Sequence, residues 1–165
     1  MDLGLKKFYK NKRILVTGAT GFKGAWLCLW LNLMGAKVYG TGFNPNKNNN
    51  LFKQLKLIKK ISVKILDVRD YSKVNNLIIK TKPQIIFHLA AQPLIYESYL
   101  KPYETYITNS IGTLNILEAV RNQRKNTVRA LVCVTSDKCY QSNNSTKGFV
   151  ETDRLGGVDP YSGSK

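Results

Sequence analysis

The sequence predicts an α/β fold, a parallel sheet wound by helices on both faces, and three observations carry that prediction. Short apolar runs at 12–17, 36–41, 61–66, 84–89 and 128–135 alternate with stretches of helical periodicity. The run at 84–89, QIIFHL, is continuously apolar after Pro83, as in a strand covered on both faces. The first run ends in three glycines, Gly18, Gly21 and Gly24, and a helical pattern starts at once. Right-handed crossovers and the position of that turn give a doubly wound sheet in the order 3-2-1-4-5.

A chain of 165 residues, 43% apolar and 10% aromatic, supports one globular domain with a real core. No apolar run approaches the roughly 18 residues that cross a bilayer, since 26–34 is short and holds Asn32. The first residues carry charge without an apolar segment before a cleavage site, so a cytoplasmic protein is expected, with no membrane association. Cys28, Cys133 and Cys139 are odd in number and lack C-x-x-C spacing, and His88 is the only histidine, so no metal site is expected. The net charge of +16 is spread along the chain and no basic helix gathers it. A nucleic-acid partner is therefore not expected, and the field serves to draw in anionic phosphate ligands.

In order, strand one at 12–17 leads into a helix over 22–34, apolar nearly all round and so expected to be buried on the sheet. Gly35 caps it, strand two follows at 36–41, and 44–50 is a low-complexity loop. A turn of helix is expected within 51–58, then strand three at 61–66. Asp70 or Ser72 caps a helix reaching residue 80. After strand four, Pro102 starts a long helix to residue 122. Its stripe of Tyr103, Tyr106, Ile107, Ile111, Leu114 and Leu117 is expected to meet the sheet, and Gly112 to mark a close contact with a helix or the sheet. Strand five at 128–135 precedes a polar loop, and Asp159-Pro160 reads as an N-cap and first helical residue. The chain stops one turn later, so a piece of a longer protein is expected.

The glycines carry the first functional reading. Gly18 permits a sharp turn, Gly21 a close approach of backbone to a ligand, and Gly24 tight packing of helix on strand. The ligand expected there is a pyrophosphate on the free amides of the helix N-terminus. Tyr161 and Lys165 are four apart at a helix start and so share a face. An ammonium beside a phenol favours the phenolate, which makes a general base for a hydroxyl. Thr135, Ser136, Asp137 and Lys138 lie where strand five ends, at the edge where such sheets place reactive groups.

These pieces resemble the amino-terminal part of the extended short-chain dehydrogenase/reductase family, and within it the CDP-glucose 4,6-dehydratases. The resemblance covers nearly the whole chain. Its segments are VTGATGFKGAWLCLWL, LDVRD, IIFHLAAQPLIYESY, TYITNSIGTLNILEA, VTSDKCY and LGGVDPYSGSK. Lysine after Asp137 is the discriminating detail, because dTDP-glucose dehydratases carry Asp-Glu there and most nucleotide-sugar epimerases lack such a pair. The resemblance implies a Rossmann-type NAD(P)-binding domain over 1–165, cut before a substrate domain, and a lyase that dehydrates a nucleotide sugar with bound NAD reduced and reoxidised in each cycle. Tyr161 would deprotonate the C4 hydroxyl, with Lys165 lowering its pKa and holding the nicotinamide ribose. Ser136, or Thr135, would hydrogen-bond the C4 oxygen; Lys138 would take the C5 proton, in a pocket where Lys165 favours its neutral form; Asp137 would protonate the departing C6 hydroxyl.

The same resemblance implies that Gly18, Thr20, Gly21, Phe22, Lys23 and Gly24 hold the pyrophosphate end of the cofactor. Asp67 and Val68 would contact adenine, Leu89, Ala90, Ala91 and Gln92 would line the cofactor at strand four, and Asn109 would be the polar helix position of the active site. An asparagine facing a buried sheet needs partners in any case, whereas His88 is expected to be an ordinary strand residue. Relatives carry histidine at Ala19, arginine at Tyr96 and a tryptophan-rich loop where 141–150 stands. Strand two ends without an acid for the ribose 2′-hydroxyl, so NAD comes from the resemblance; NADP stays open, with Lys47 available to a 2′-phosphate. A homodimer is implied for the whole protein, paired through the 102–122 helix and the helix beginning at Asp159. Alternative readings are another nucleotide-sugar dehydratase or an epimerase of the same family, and a non-catalytic NAD(P)-binding sensor.

Overall fold

The computed structural model describes residues 3–43, 51–123, 127–141 and 148–165. The expected loop at 44–50 with Lys47, and residues 142–147 of the loop after Tyr140, lie outside the described residues. Five parallel strands form one sheet: β1 (Arg13–Thr17), β2 (Lys37–Gly42), β3 (Ser62–Ile65), β4 (Ile85–His88) and β5 (Ala130–Cys133). Their order is β3-β2-β1-β4-β5, as the crossover rule predicts. Thr17 pairs with Thr41 on one side and His88 on the other, and His88 with Cys133, so these strands end level at one edge. The chain leaves β1 toward β2 and returns on the far side at β4, which opens a crevice between the ends of β1 and β4.

Alternation along β1 divides the core. Ile14 and Val16 join Cys28, Leu31 and Phe52 on one face, while Leu15 joins Val74, Ile78, Ile86, Ile116 and Ala119 on the other. Both sets are almost fully buried, which explains why the strands read as unbroken apolar runs. Each such side chain contributes about 1.5–3 kcal/mol by leaving water.

The helices are α1 (Leu3–Tyr9), α2 (Phe22–Leu33), α3 (Leu51–Gln54), α4 (Tyr71–Thr81), α5 (Ile95–Leu100), α6 (Pro102–Tyr106), α7 (Gly112–Arg121) and α8 (Pro160–Gly163). Neither α1 nor α5 is apparent in the sequence pattern. α2 ends in a Schellman motif: Gly35, at φ +81°, donates to the Asn32 carbonyl, and Ala36 to that of Leu31. Asp70 rather than Ser72 caps α4, accepting from the Lys73 amide at 3.0 Å.

Two expectations about faces are corrected. α2 buries Gly24, Ala25, Cys28 and Leu31, but Phe22, Trp26, Trp30 and Leu33 stand exposed, because a helix lying on a sheet turns only one side to it. The long helix forms as α6, a π-helical turn (Ile107–Ile111) and α7. Its buried side is Thr105, Asn109, Gly112, Ile116 and Ala119, while Tyr103, Tyr106, Ile111, Leu114 and Leu117 of the predicted stripe face outward and Ile107 is half-buried. Small and polar residues take the inner side because it meets backbone and loop groups as well as the sheet. Gly112 does mark a close contact, but with a loop: a Cβ there would lie 2.8 Å from Cγ2 of Val68, just after β3.

Candidate active site

The glycine turn separates what the protein needs from what a ligand needs. At Gly18, φ is +69° and a Cβ would sit 2.8 Å from the Ala90 nitrogen, so the end of β1 rests directly on the end of β4. A Cβ on Gly24 would run into the Gly18 carbonyl. Gly21 is different: its φ is −81° and a Cβ there would have only the Gly18 oxygen near, at 3.3 Å. The fold therefore asks less of Gly21 than of Gly18 or Gly24, and the bare backbone leaves room for a ligand that a side chain would fill. No side chain caps α2, so its first-turn amides at Phe22, Lys23 and Gly24 remain available to an anion. Thr20 is held by a 3.3 Å bond from its hydroxyl to the Phe43 carbonyl. Ala19 is fully buried, its amide donating to Thr41, so that position packs against β2 instead of presenting a group to the crevice.

At the end of β4 a chain of hydrogen bonds has one direction. The Leu89 and Ala90 amides donate to Thr17 Oγ1 at 3.2 and 3.1 Å, so the Thr17 proton goes to His88 Nδ1, 2.7 Å away. That nitrogen accepts, and His88 Nε2 donates to Thr113 Oγ1 at 3.0 Å; Thr113 in turn donates to the Asn109 carbonyl at 2.6 Å. Burial, with Lys165 nearby, pushes the His88 pKa down to about 4. His88 is thus a neutral bracket between β1, β4 and α7, in keeping with an ordinary strand residue.

Asn109, in the π turn, is where the elements meet. Its Oδ1 accepts from the Gln92 amide at 2.8 Å, and its Nδ2 donates to the Gln92 carbonyl at 3.1 Å and to Ser164 Oγ at 2.9 Å. The Gln92 side chain donates to the Leu94 carbonyl and to Thr105 Oγ1, each at 3.0 Å, and accepts from the Leu94 amide. The loop carrying Ala90, Ala91 and Gln92 is therefore fixed from α6 and the π turn.

Ser136 accepts from the Lys138 amide at 3.2 Å and so caps a 3-10 turn, Asp137–Cys139, on which Asp137 and Lys138 stand exposed beside Thr135. The chain beyond is tied back: Gln141 donates to the Arg154 carbonyl, Gly156 to that of Cys139, and Tyr140 stacks on Phe149 with centroids 4.8 Å apart. α8 starts as the sequence indicates, with the Asp159 carboxylate accepting from the Ser162 amide at 2.9 Å and hydroxyl at 2.6 Å. The Ser162 bonds hold that carboxyl below its usual range, with a smaller contribution from Lys138 on the 137–139 turn, which packs against α8. Lys165 donates from Nζ to the Val134 carbonyl at 3.3 Å, and burial lowers its pKa against a smaller opposing effect of Cys133. Among the described residues no hydrogen bond joins Tyr161 to Lys165; the lysine reaches the end of β5 instead.

Asp67 accepts from the Arg69 amide at 2.9 Å, from Nε at 2.8 Å and from Nη2 at 2.6 Å, and the side-chain bond holds its carboxyl below the usual range. Val68 packs on Gly112, its carbonyl fixed by Asn115 Nδ2 at 2.9 Å. The crevice thus gathers the glycine turn, the 89–92 loop, Asn109, the 135–138 turn and α8 at the carboxyl edge of the sheet, with Asp67 and Val68 at its β3 side. Sequence reasoning missed Thr17, Thr105, Ser110, Thr113 and Ser164. Thr17 offered a signal, as a polar residue ending an apolar strand; Thr105 and Thr113 lie on the helix side that the apolar stripe left facing out, so the pattern gave none.

Among proteins of known family, the family model described as GDP-mannose 4,6 dehydratase matches residues 15–165. A CDP-glucose 4,6-dehydratase of Salmonella typhimurium is 46% identical over 160 residues, 97% of this chain and 44% of that protein. A UDP-glucose 4-epimerase of Thermus thermophilus, solved in complex with NAD, has a TM-score of 0.77 at 28% identity, covering 93% of this chain and 47% of that one. A UDP-glucose-4-epimerase of Stenotrophomonas maltophila, solved with NAD and formylated UDP-arabinopyranose, shares the fold with a TM-score of 0.80 at 23% identity, covering 94% and 46%. The chain spans less than half the length of each of these relatives.

Proposed function

This chain belongs to the GDP-mannose 4,6 dehydratase family, and from that premise we propose that it is the cofactor-binding part of a CDP-glucose 4,6-dehydratase. The observation that carries the reading is the exposed pair Asp137 and Lys138 on a turn beside the helix of Tyr161 and Lys165, at the same sheet edge as an uncapped glycine turn. The CDP-glucose dehydratase that is 46% identical supports the choice of sugar nucleotide.

Gly21 and the first-turn amides of α2 fit a pyrophosphate, and Ala90, Ala91 and Gln92 line the path to the nicotinamide; the resident cofactor is NAD, a reading supported by the 28% identical neighbour solved in complex with NAD. When bound, the nicotinamide supplies a reversible hydride store, filled from sugar C4 and emptied at C6. Tyr161 takes the proton of the C4 hydroxyl, and Lys165 holds the nicotinamide ribose while its charge favours the phenolate. Ser136, with Thr135 beside it, donates to the C4 oxygen. The C4 ketone acidifies C5; Lys138 removes that proton, Asp137 delivers one to the departing C6 hydroxyl as water, and Lys138 returns a proton to C5 as C6 is reduced. The net reaction is loss of one water, giving a 4-keto-6-deoxy sugar.

The base and sugar of the substrate are recognised by a domain beyond Lys165. The whole protein is a cytoplasmic homodimer, paired through the outward stripe of Tyr103, Ile111, Leu114 and Leu117. An epimerase of the same family has no need of Asp137 and Lys138, and a sensor none of Tyr161 and Lys165. Incubating the full-length protein with CDP-glucose should yield a 4-keto product; product from another nucleotide sugar alone would overturn the substrate assignment. Lys138→Ala should abolish exchange of the C5 proton with solvent, and exchange at the wild-type rate would remove the base role.

A further inference from the structure

We propose that Ser110 and Ser164 are positioning residues for Lys165, and that the π turn exists to let two consecutive residues, Asn109 and Ser110, grip the peptide that carries it. Ser164 is 6% exposed and fully engaged. Its hydroxyl oxygen accepts from Asn109 Nδ2 at 2.9 Å and its proton goes to the Tyr161 carbonyl at 2.7 Å. Its own carbonyl accepts from Ser110 Oγ at 3.1 Å. That carbonyl belongs to the peptide joining Ser164 to Lys165, so the Ser110 bond fixes the plane from which the lysine side chain departs. At the other end of the side chain Nζ is tied to Val134. Lys165 is held at both ends, and only the backbone end is set by side chains.

The π turn matters because neighbouring residues of an α-helix project about 100° apart, which turns one of any consecutive pair away from a shared target. Here Gly112 donates to the carbonyl of Ile107, five residues back, and the wider turn directs Asn109 and Ser110 to the same residue. Such turns recur at functional sites. Asn109 also grips Gln92, so the clamp holds the Tyr161–Lys165 segment in register with the loop after β4. The inference rests on the proposed function, since a register of Lys165 has meaning only where Tyr161 and Lys165 act together.

The test uses the full-length enzyme with NAD and CDP-glucose. Ser110 is exposed, so Ser110→Ala folds normally and removes one hydrogen bond. It should lower kcat about tenfold with KM within twofold, in line with the steep cost of small misplacements. The acidic limb of the kcat pH profile should move upward, because a displaced ammonium supports the phenolate less. Ser110→Thr, which keeps the hydroxyl, should restore both. Ser164→Ala should cost more, about 100-fold. Hydrogen exchange of the 160–165 segment should quicken in Ser110→Ala whether or not CDP-glucose is turned over. Wild-type turnover with an unmoved pH limb in Ser110→Ala, or a threonine variant no better than alanine, overturns the clamp. A wild-type enzyme inactive on CDP-glucose overturns the proposed function instead, and unchanged exchange at 160–165 then overturns the clamp separately.

Discussion

Lowering the pH from 7 to 4 titrates one imidazole in this chain, because His88 is its only histidine. In the fold both ring nitrogens are engaged between Thr17 and Thr113, and a second ring proton has nowhere to go. Burial, with the Lys165 charge adding a smaller effect, lowers its pKa from 6.5 to about 4. Above pH 6.5 neither the folded nor the unfolded chain binds a proton there, and the full stability is present. Between 6.5 and 4 the unfolded chain binds more protons, so stability falls with falling pH, and the loss is complete below the folded pKa. At 1.36 kcal/mol per pH unit of displacement, the total is about 3 kcal/mol. Urea unfolding of the wild type and of His88→Gln, compared across this range, isolates the effect, since the carboxylates titrate alike in both. The wild type should show the steeper loss between pH 6.5 and 4, and the single imidazole resonance should titrate near 4 when folded and near 6.5 in urea. Equal slopes, or a folded midpoint above 6, would refute the neutral-bracket argument.

Other expectations concern the glycine turn and the exposed helix face. Gly24→Ala drives a Cβ into backbone that cannot yield and should destabilise the chain by about 1–3 kcal/mol or prevent folding, measured by urea denaturation. Gly21→Ala, whose Cβ meets only the Gly18 oxygen at 3.3 Å, should cost less in unfolding than Gly24→Ala while weakening NAD binding at least tenfold by calorimetry. Leu114→Lys, at a side chain 55% exposed, should leave the circular dichroism spectrum intact and convert the full-length protein from dimer to monomer by sedimentation.

The strand order, the glycine turn, the Asp70 cap and the Asp159-Pro160 helix start were legible because each rests on local chemistry: an apolar period, a φ only glycine takes freely, a carboxylate one turn from an open amide. Which face of the 102–122 helix lies inside was not. Hydrophobic periodicity points an apolar stripe inward by default, yet Tyr103, Leu114 and Leu117 face out while Thr105 and Asn109 lie within. The buried side is polar because it satisfies Gln92 and Ser164, groups far away in sequence. The π turn left no trace in the pattern either, since one residue per turn alters spacing less than the stripe's own width. At the site, residue types single out Tyr161, Asp137 and Lys138 as candidates. The serines and threonines hydrogen-bonded around Asn109 and Ser164 have ordinary neighbours and become visible only through distances.

The two edges of the sheet are protected unequally. β3 reads Ser-Val-Lys-Ile, and its lysine discourages another strand from adding there. β5 reads Ala-Leu-Val-Cys, pairs on one side only among the described residues, and leaves Val132 and, just beyond it, Val134 nearly half exposed. An uncharged open edge of this kind invites a second chain to zip onto it. A net charge of +16 opposes that encounter at low ionic strength, but salt screens such repulsion within about 8 Å at physiological concentration. The chain by itself should therefore associate more readily as salt rises, under conditions that leave its core untouched.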